Sequence, residues 1–496
     1  MIETTAGEIA AITGGMLHDC APATPVAGPV EFDSRQVTPG CVFLALPGAR
    51  ADGHDFAAGA VADGAALVIA ARPVGAPAVV VEPLGAQTSN SDAFAHDPDG
   101  SGAAVLEAVG RLARRNVDEL AEGGLTVVGV TGSAGKTSTK DMMATILRTA
   151  GETVAPKGSF NNEIGHPYTV LRCTRDTRYL VAELSARGVG HVAHLARIAP
   201  PRIGAVLNVG TAHIGEFGSR EVIAQAKGEL IEALPDAADG GVAVLNADDP
   251  LVAGMAPRTR AKVVTFGLNP GADYRATAVE LDDVARASFT LHTPDGGEYP
   301  VRLRVHGAHQ VPNALAAAAV AVEAGLDPAA VAGALNDHVA ASARRMEVSV
   351  LGDGVTVIND SYNANPDSMR AGVDALARTT AARDGATSWA VLGQMGELGD
   401  GADTEHTDLA HVLVKHGVGK LIAVGEGDNV RALAEEATRV GLNTLRAPNP
   451  AAAADAVAEG VRPGDVVLVK ASYADGLWRV VEALEDHLGK NNGEAR

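Results

Sequence analysis

The stretch VVGVTGSAGKTSTK, residues 127–140, decides how the rest of the chain is read. It has the form of a short β-strand, a glycine-rich turn and the first turns of a helix. Gly132 and Gly135 let the backbone bend until its N–H groups converge on phosphate oxygens, and the helix N-terminus adds its partial positive charge. Lys136 can reach the outer phosphates, and the Thr137 hydroxyl can join the shell of a Mg²⁺ ion. The stretch departs from the pattern G-x-x-x-x-G-K-[ST] at its first glycine position, where Val130 stands. A nucleotide site is expected here, formed by Thr131, Gly132, Ser133, Ala134, Gly135, Lys136, Thr137 and Ser138. The loop alone does not specify a reaction.

Around this loop the pattern is β/α. From 126 to about 325, the apolar runs TVVGV, RYLVAEL, IGAVLNV, VAVLN and KVVTF alternate with helical patterns, which implies a mostly parallel sheet covered on both faces. Residues 274–305 instead alternate at period two around Asp295-Gly296-Gly297, the mark of a hairpin addition, and an alanine-rich helix follows from Pro312. Upstream, VEF, VFLAL, ALVIA and AVVVE predict a small α/β domain. Residues 85–102 lose periodicity and read as a loop or linker, before a helix carrying Val105, Leu106, Val109 and Leu112. From about 341 the alternation restarts with VTVIN, WAVLG, LIAVG and DVVLV, a third and doubly wound unit. The expected fold class is α/β in three domains, 1–101, 102–340 and 341–496. No G-x-G-x-x-G follows the first strand of the third domain, and Val430 stands where GEGDN would need its last glycine, which argues against a dinucleotide oxidoreductase.

Totals narrow the function further. A chain of 496 residues exceeds one hydrophobic core. A net charge of −21 disfavours nucleic acid and anionic membranes as partners. The N-terminus lacks a basic region followed by an apolar one, and runs such as AALVIAA are too short to span a bilayer. Cys20, Cys41 and Cys173 have no metal-ligand spacing, so a reducing cytoplasm is expected.

Beyond the loop, several residues fall where ligands bind, at the carboxyl ends of parallel strands. Glu183 ends YLVAEL and could hold a metal or cap a helix; His213 follows the next strand in NVGTAHIGEFGS. Lys227 lies within the apolar face formed by Ile223, Leu230, Ile231 and Leu234, so it must be paired, snorkelling or chemically altered. Spacing alone favours snorkelling. In the third domain Asp360 ends VTVIND and could accept from ribose hydroxyls or cap a helix. Arg344 and Arg345 could face phosphate or solvent, and Lys470 ends VVLVK at the ligand edge.

These pieces, in this order, resemble the Mur ligases of peptidoglycan synthesis. The resemblance rests on TGSAGKTSTK, NNEIG (161–165), Glu183, GTAHIGEFGS, AKGE (226–229), NADDP (246–250), HGAHQVPNALAAAA, RRMEV and NDSYNANPDSM. DSRQVTPGCVFLALPG with DGHDF resembles the uridine-nucleotide domain of two family members. NANPDS and LGQMGELG (392–399) are similar to the branch that adds D-alanyl-D-alanine. Ala364-Asn365-Pro366-Asp367 lacks the arginine of the Asp-Asn-Pro-Arg clamp in the branch that adds a single diamino acid. That branch is the alternative reading, and a nucleotide-dependent switch is a third.

The resemblance implies an ATP-dependent ligase joining D-Ala-D-Ala to UDP-N-acetylmuramoyl-tripeptide through an acyl phosphate, with two Mg²⁺ ions. Lys136, Lys227 and His213 would be catalytic. Thr137 and Glu183 would bind one metal. His213 would help bind the second, supported by Lys227 as a carbamate. Asn313 would face adenine; Arg345 and Asp360 would meet phosphate and ribose. Asn161, Asn162 and Glu163 would lie near the muramoyl peptide, Asp33, Ser34 and Arg35 at the uridine end, and Asn363 and Lys470 against substrate. A monomer whose domains close on binding is implied. Two departures from the family stand out: Ser185 replaces a glycine, and Lys470-Ala471-Ser472-Tyr473 lacks the arginine of Lys-Gly-Ser-Arg.

Overall fold

The computed structural model describes residues 1–87 and 91–489. Three mainly parallel sheets follow one another along the chain. The first has five strands in the order Met16–His18, Ala78–Val80, Leu67–Ala70, Val42–Leu44, Val30–Glu31, parallel except for the Met16–His18 edge. The central sheet has nine strands and carries the phosphate loop on Thr126–Thr131, between Ile203–Val206 and Thr177–Glu183. The third has six strands, with Val466–Lys470 lying between Thr356–Asp360 and Ser388–Leu392.

Short β-branched runs flanked by turns form the buried strands, as patterning requires of sheets covered on both faces. Thr126–Thr131 is buried from Val127 onward, and Val130 contributes to the core under the sheet. Its neighbours Glu183 and Val206 align with Val130 and Thr131, so three strand ends open at one edge. The period-two segment forms the antiparallel strands Tyr274–Leu281, Arg286–His292 and Glu298–His306, which extend the central sheet. The alanine-rich helix runs Gln310–Glu323, starting two residues before Pro312 and lying buried against the sheet.

Of the expected 85–102 loop, residues 88–90 lie outside the described residues, as does 490–496 of the expected third domain. The loop base is tied: Leu84 N–H donates to Gly100 O at 3.2 Å and Gly85 N–H to Asp99 O at 3.0 Å. The following helix, Ser101–Glu122, begins four residues before Val105. Asp97 accepts from Gly102 N and Ala103 N, both at 2.8 Å, and satisfies donors that a helix start leaves free. This helix packs the first and central sheets into one shared core, from Ile9 and Val42 to Val127 and Leu180. The third sheet keeps cores of its own. Its edge strands Glu347–Val350 and Asn443–Ala447 did not stand out in the sequence, because neither is fully buried and TLRA carries no apolar run.

Candidate active site

The open strand edges of the central and third sheets face one another across a cavity of about 840 Å³. Its central-domain wall includes Ser133 to Ser138, Asn161 to Glu163, Glu183, His213 and Asn313; the third domain adds Arg345, Asp360, Asn363, Glu397 and Lys470. Of the candidate site residues named from the sequence, Thr131, Gly132, Lys227, Arg344, Asp33, Ser34 and Arg35 are not among those lining it.

The phosphate loop owes its shape to one glycine and one asparagine. Gly135 has φ +82°, a conformation few other residues hold. Asn208 clamps the loop: Ala134 N–H donates to its Oδ1 at 2.9 Å and its Nδ2 donates to Ala134 O at 3.1 Å. Thr131 spends its hydroxyl on Leu184 O at 2.9 Å, pinning adjacent strand ends. Lys136 donates to Gly132 O at 2.7 Å, and burial pushes its ammonium pKa down, opposed by Glu183. Asn313 donates to Gln310 Oε1 at 3.0 Å beside Gly135.

Glu183 is the more deeply buried of two buried acids in the site, the other being Glu163. Its Oε1 accepts from Asn161 Nδ2 at 2.7 Å, Ser159 Oγ at 3.2 Å and Thr137 Oγ1 at 3.3 Å. Its Oε2 is buried and has no hydrogen-bond partner among the described residues. A buried carboxylate oxygen left unsatisfied is costly, and a cation resolves it. The residues therefore fit a divalent cation such as Mg²⁺, which Thr137 and Glu183 could hold. Among the described residues no group of three or more His, Cys, Asp or Glu gathers as a metal site. Substrate phosphate and water would have to complete the shell, as is usual for this ion.

Lys227 is 4% exposed on helix Arg220–Glu232, so it does not snorkel into solvent. No hydrogen-bond or ion-pair partner is found for it among the described residues. Burial, then the Lys136 charge, pushes its pKa well below the ordinary lysine value. An uncharged amine is the form that can react as a nucleophile.

On the third-domain side Lys470 and Asp360 hold each other, with Nζ to Oδ2 at 2.5 Å; Lys470 also donates to Asn363 O at 2.8 Å. Met346 N–H takes Asp360 Oδ1 at 3.1 Å. Arg345 lies over the Tyr362 ring and donates to Ser159 Oγ at 3.3 Å, crossing between domains. Tyr473, at the position of the family arginine, stacks on Trp478 with centroids 4.8 Å apart. Asp33 and Arg35 form a bidentate pair at 2.8–2.9 Å just after the strand Val30–Glu31. They sit on the first sheet, apart from the cavity.

Models of three Mur ligase domains match this chain: the family's catalytic domain over residues 29–114, its middle domain over 130–321 and its glutamate ligase domain over 344–473. The UDP-N-acetylmuramoyl-tripeptide–D-alanyl-D-alanine ligase of Mycobacterium tuberculosis is 54% identical, over 98% of this chain and 98% of its own. The chain belongs to the Mur ligase family. The ligase of the same name from Escherichia coli is 33% identical over 86% of this Mur ligase and 87% of its own length. Among solved structures, MurF from Acinetobacter baumannii superposes with a TM-score of 0.82, at 30% identity over 98% and 99% of the two chains. MurF from Thermotoga maritima in complex with ADP gives 0.74, at 29% identity over 93% and 97%.

Several residues of this Mur ligase site carried no signal that was used in the sequence. Ser159 joins Thr137, Glu183, Asn161 and Arg345 through one hydroxyl. Ser91 reaches in from the 85–102 segment and donates to Glu163 Oε2 at 2.6 Å. Glu397, inside the quoted LGQMGELG, pairs with His213 and with Arg187. Asn208 begins the NVGTAH stretch, two residues after the strand Ile203–Val206, a position where a polar side chain could have been suspected.

Proposed function

We propose that this Mur ligase forms a peptide bond between UDP-N-acetylmuramoyl-tripeptide and D-alanyl-D-alanine at the expense of ATP, in the bacterial cytoplasm and as a monomer. One observation carries the ATP part: the phosphate loop, the half-satisfied buried Glu183 and third-domain Arg345 and Asp360 line the same cavity. The choice of peptide rests on the full-length similarity to ligases that carry those substrates in their names. The three cysteines are free thiols, which accords with a reducing compartment. No helix among the described residues is long and apolar enough to cross a membrane.

The loop 132–137 would grip the ATP phosphates, and Lys136 would leave Gly132 O to follow charge onto the transferred phosphoryl group. Bound at Thr137 and Glu183, Mg²⁺ would supply neutralisation of phosphate oxygens. A second ion would be held with the help of His213 and of Lys227 as its carbamate, a modification that needs the neutral amine favoured by burial. A tripeptide carboxylate oxygen attacks the γ-phosphorus and ADP leaves. The D-Ala-D-Ala amine nitrogen then attacks the acyl carbon, loses its proton and expels phosphate. Asn161, Asn162, Glu163, Asn363 and Lys470 would bind the peptide end, Asp33 to Arg35 the uridine end, and Asn313 and Asp360 the nucleoside of ATP.

The deciding test measures phosphate release with ATP, Mg²⁺ and UDP-N-acetylmuramoyl-tripeptide, with and without D-Ala-D-Ala, alongside mass spectrometry of the product. Dipeptide-dependent release and a UDP-muramoyl-pentapeptide are expected. Turnover with a single amino acid and the shorter UDP precursor would instead assign the chain to another branch of the family.

A further inference from the structure

The loop Gly210–Gly218 of the central domain, which carries His213, meets the third-domain stretch 393–399 at the cavity rim. Glu397 accepts on both carboxylate oxygens: Oε1 from Arg187 Nη2 at 2.5 Å and Oε2 from His213 Nδ1. Its own carbonyl accepts from Gly215 N–H at 3.2 Å. Both partners of the bridge stand in the left-handed region, His213 at φ +59° and Glu397 at +61°. Non-glycine residues keep that conformation where their surroundings enforce it. Beneath them the backbones touch. A Cβ on Gly215 would meet Gly399 N at 2.4 Å, and one on Gly399 (φ +60°) would meet Gly215 Cα at 2.8 Å. Ile214 packs against hydrophobic cores on both sides.

We propose that Glu397 is a positioning residue for the ligation: a carboxylate, delivered only when the third domain docks, that orients His213 and Arg187. A carboxylate at Nδ1 holds the imidazole as the Nδ1–H tautomer and leaves Nε2 as the lone-pair donor. The catalytic readiness of His213 is thereby tied to domain orientation. The kinetic part of the test rests on the ligase reading; the structural part does not.

The test compares wild type with Glu397→Ala, Glu397→Gln and Gly399→Ala. Orientation is read from the distance between spin labels at Val263→Cys and Val414→Cys in a Cys20→Ser background, and the His213 tautomer from ¹⁵N chemical shifts. Glu397→Ala is expected to broaden and lengthen the interdomain distance, to lose the Nδ1–H signature, and to lower kcat about 10- to 100-fold at an ATP KM within about twofold of wild type. Glu397→Gln, which keeps one acceptor oxygen, is expected to fall between. Gly399→Ala retains the carboxylate but separates the backbones, and is expected to lose the tautomer signature as well. An unchanged distance and tautomer in both Glu397→Ala and Gly399→Ala overturn the proposal, as does lost activity without either change. If the labels and ¹⁵N shifts respond as expected in a protein that ligates no muramoyl peptide, the positioning role stands and the ligase reading falls.

Discussion

Lys136 donates to a carbonyl of its own loop and reaches no other acceptor among the described residues. The same side chain is the cation best placed to follow a phosphoryl group, so Lys136→Ala is expected to lower kcat by about 10²- to 10³-fold or more. Phosphate release under saturating substrates measures this, and activity near wild type would remove the phosphate-loop mechanism. His166, in helix Gly165–Val170, shows a different consequence of burial. Its Nε2 is buried without a hydrogen-bond partner among the described residues, and burial lowers the pKa from 6.5 to about 4 against the opposing effect of the Leu195 backbone. The unfolded chain therefore binds more protons than the folded one between about pH 4 and 6.5. Stability is complete above the unfolded value and is lost as pH falls through that window, by up to about 3 kcal/mol. Urea unfolding at pH 7 and pH 4.5 should reveal the loss, and His166→Gln should shrink the difference.

At the scale of elements, the strand–loop–helix unit depends on the clearance between the loop and helix Gln310–Glu323. A Cβ on Gly135 would meet Asn313 Oδ1 at 2.4 Å, while φ +82° strains any non-glycine residue. Gly135→Ala is therefore expected to cost about 1–3 kcal/mol of stability and to weaken ATP binding about tenfold or more, since it moves both the loop and a residue proposed to face adenine. Calorimetric titration with ATP checks this, and unaltered affinity would mean that Asn313 yields freely. The segment 85–102 shows where local patterning ran out. Its polar composition reads as loop, and a described part is one, yet Asp97 caps the next helix and Ser91 reaches Glu163. Both contacts are made by short polar side chains whose partners depend on where the chain turns.

Across the whole molecule, the first and central domains are joined more firmly than the third. They share a core through helix Ser101–Glu122, and Glu31 is buried at their seam. Glu31 accepts from Arg172 Nη2 at 2.8 Å and Tyr168 Oη at 3.1 Å, next to the ring cluster of Phe32, Phe160 and Tyr168. Glu31→Ala is expected to cost about 1 kcal/mol, because it removes the acceptor shared by a half-exposed guanidinium and a phenol that keep each other as partners. It should also raise the KM for the UDP-muramoyl substrate while leaving ATP affinity unchanged, as measured by urea unfolding and steady-state kinetics. An unchanged unfolding midpoint would show that the shared apolar core alone fixes the seam. The third domain, by contrast, meets the central one through the apolar side chain of Ile214 shared between their cores, the Gly215–Gly399 backbone contact, and polar bridges that include Arg345–Ser159, Asp367–Thr211 and Glu397–His213. Polar, partly exposed contacts of this kind are easily remade, so the third domain is expected to move relative to the central one.

What the sequence by itself determined is what depends on residues near one another in the chain. Glycine spacing makes a phosphate loop, β/α alternation makes parallel sheets, and a residue at a strand's end stands at the ligand edge; so Lys136, Thr137, Glu183 and Asp360 were legible before any fold was known. Only the tertiary structure decided which groups meet. Asp360 is held by Lys470 from 110 positions away. His213 is held by Glu397 from 184 positions away. Lys227 is buried, and Glu183 keeps one oxygen without a partner among the described residues. The physical reason is that hydrogen bonding, desolvation and charge act through space over a few ångströms, and sequence distance says nothing about which side chains packing will bring that close.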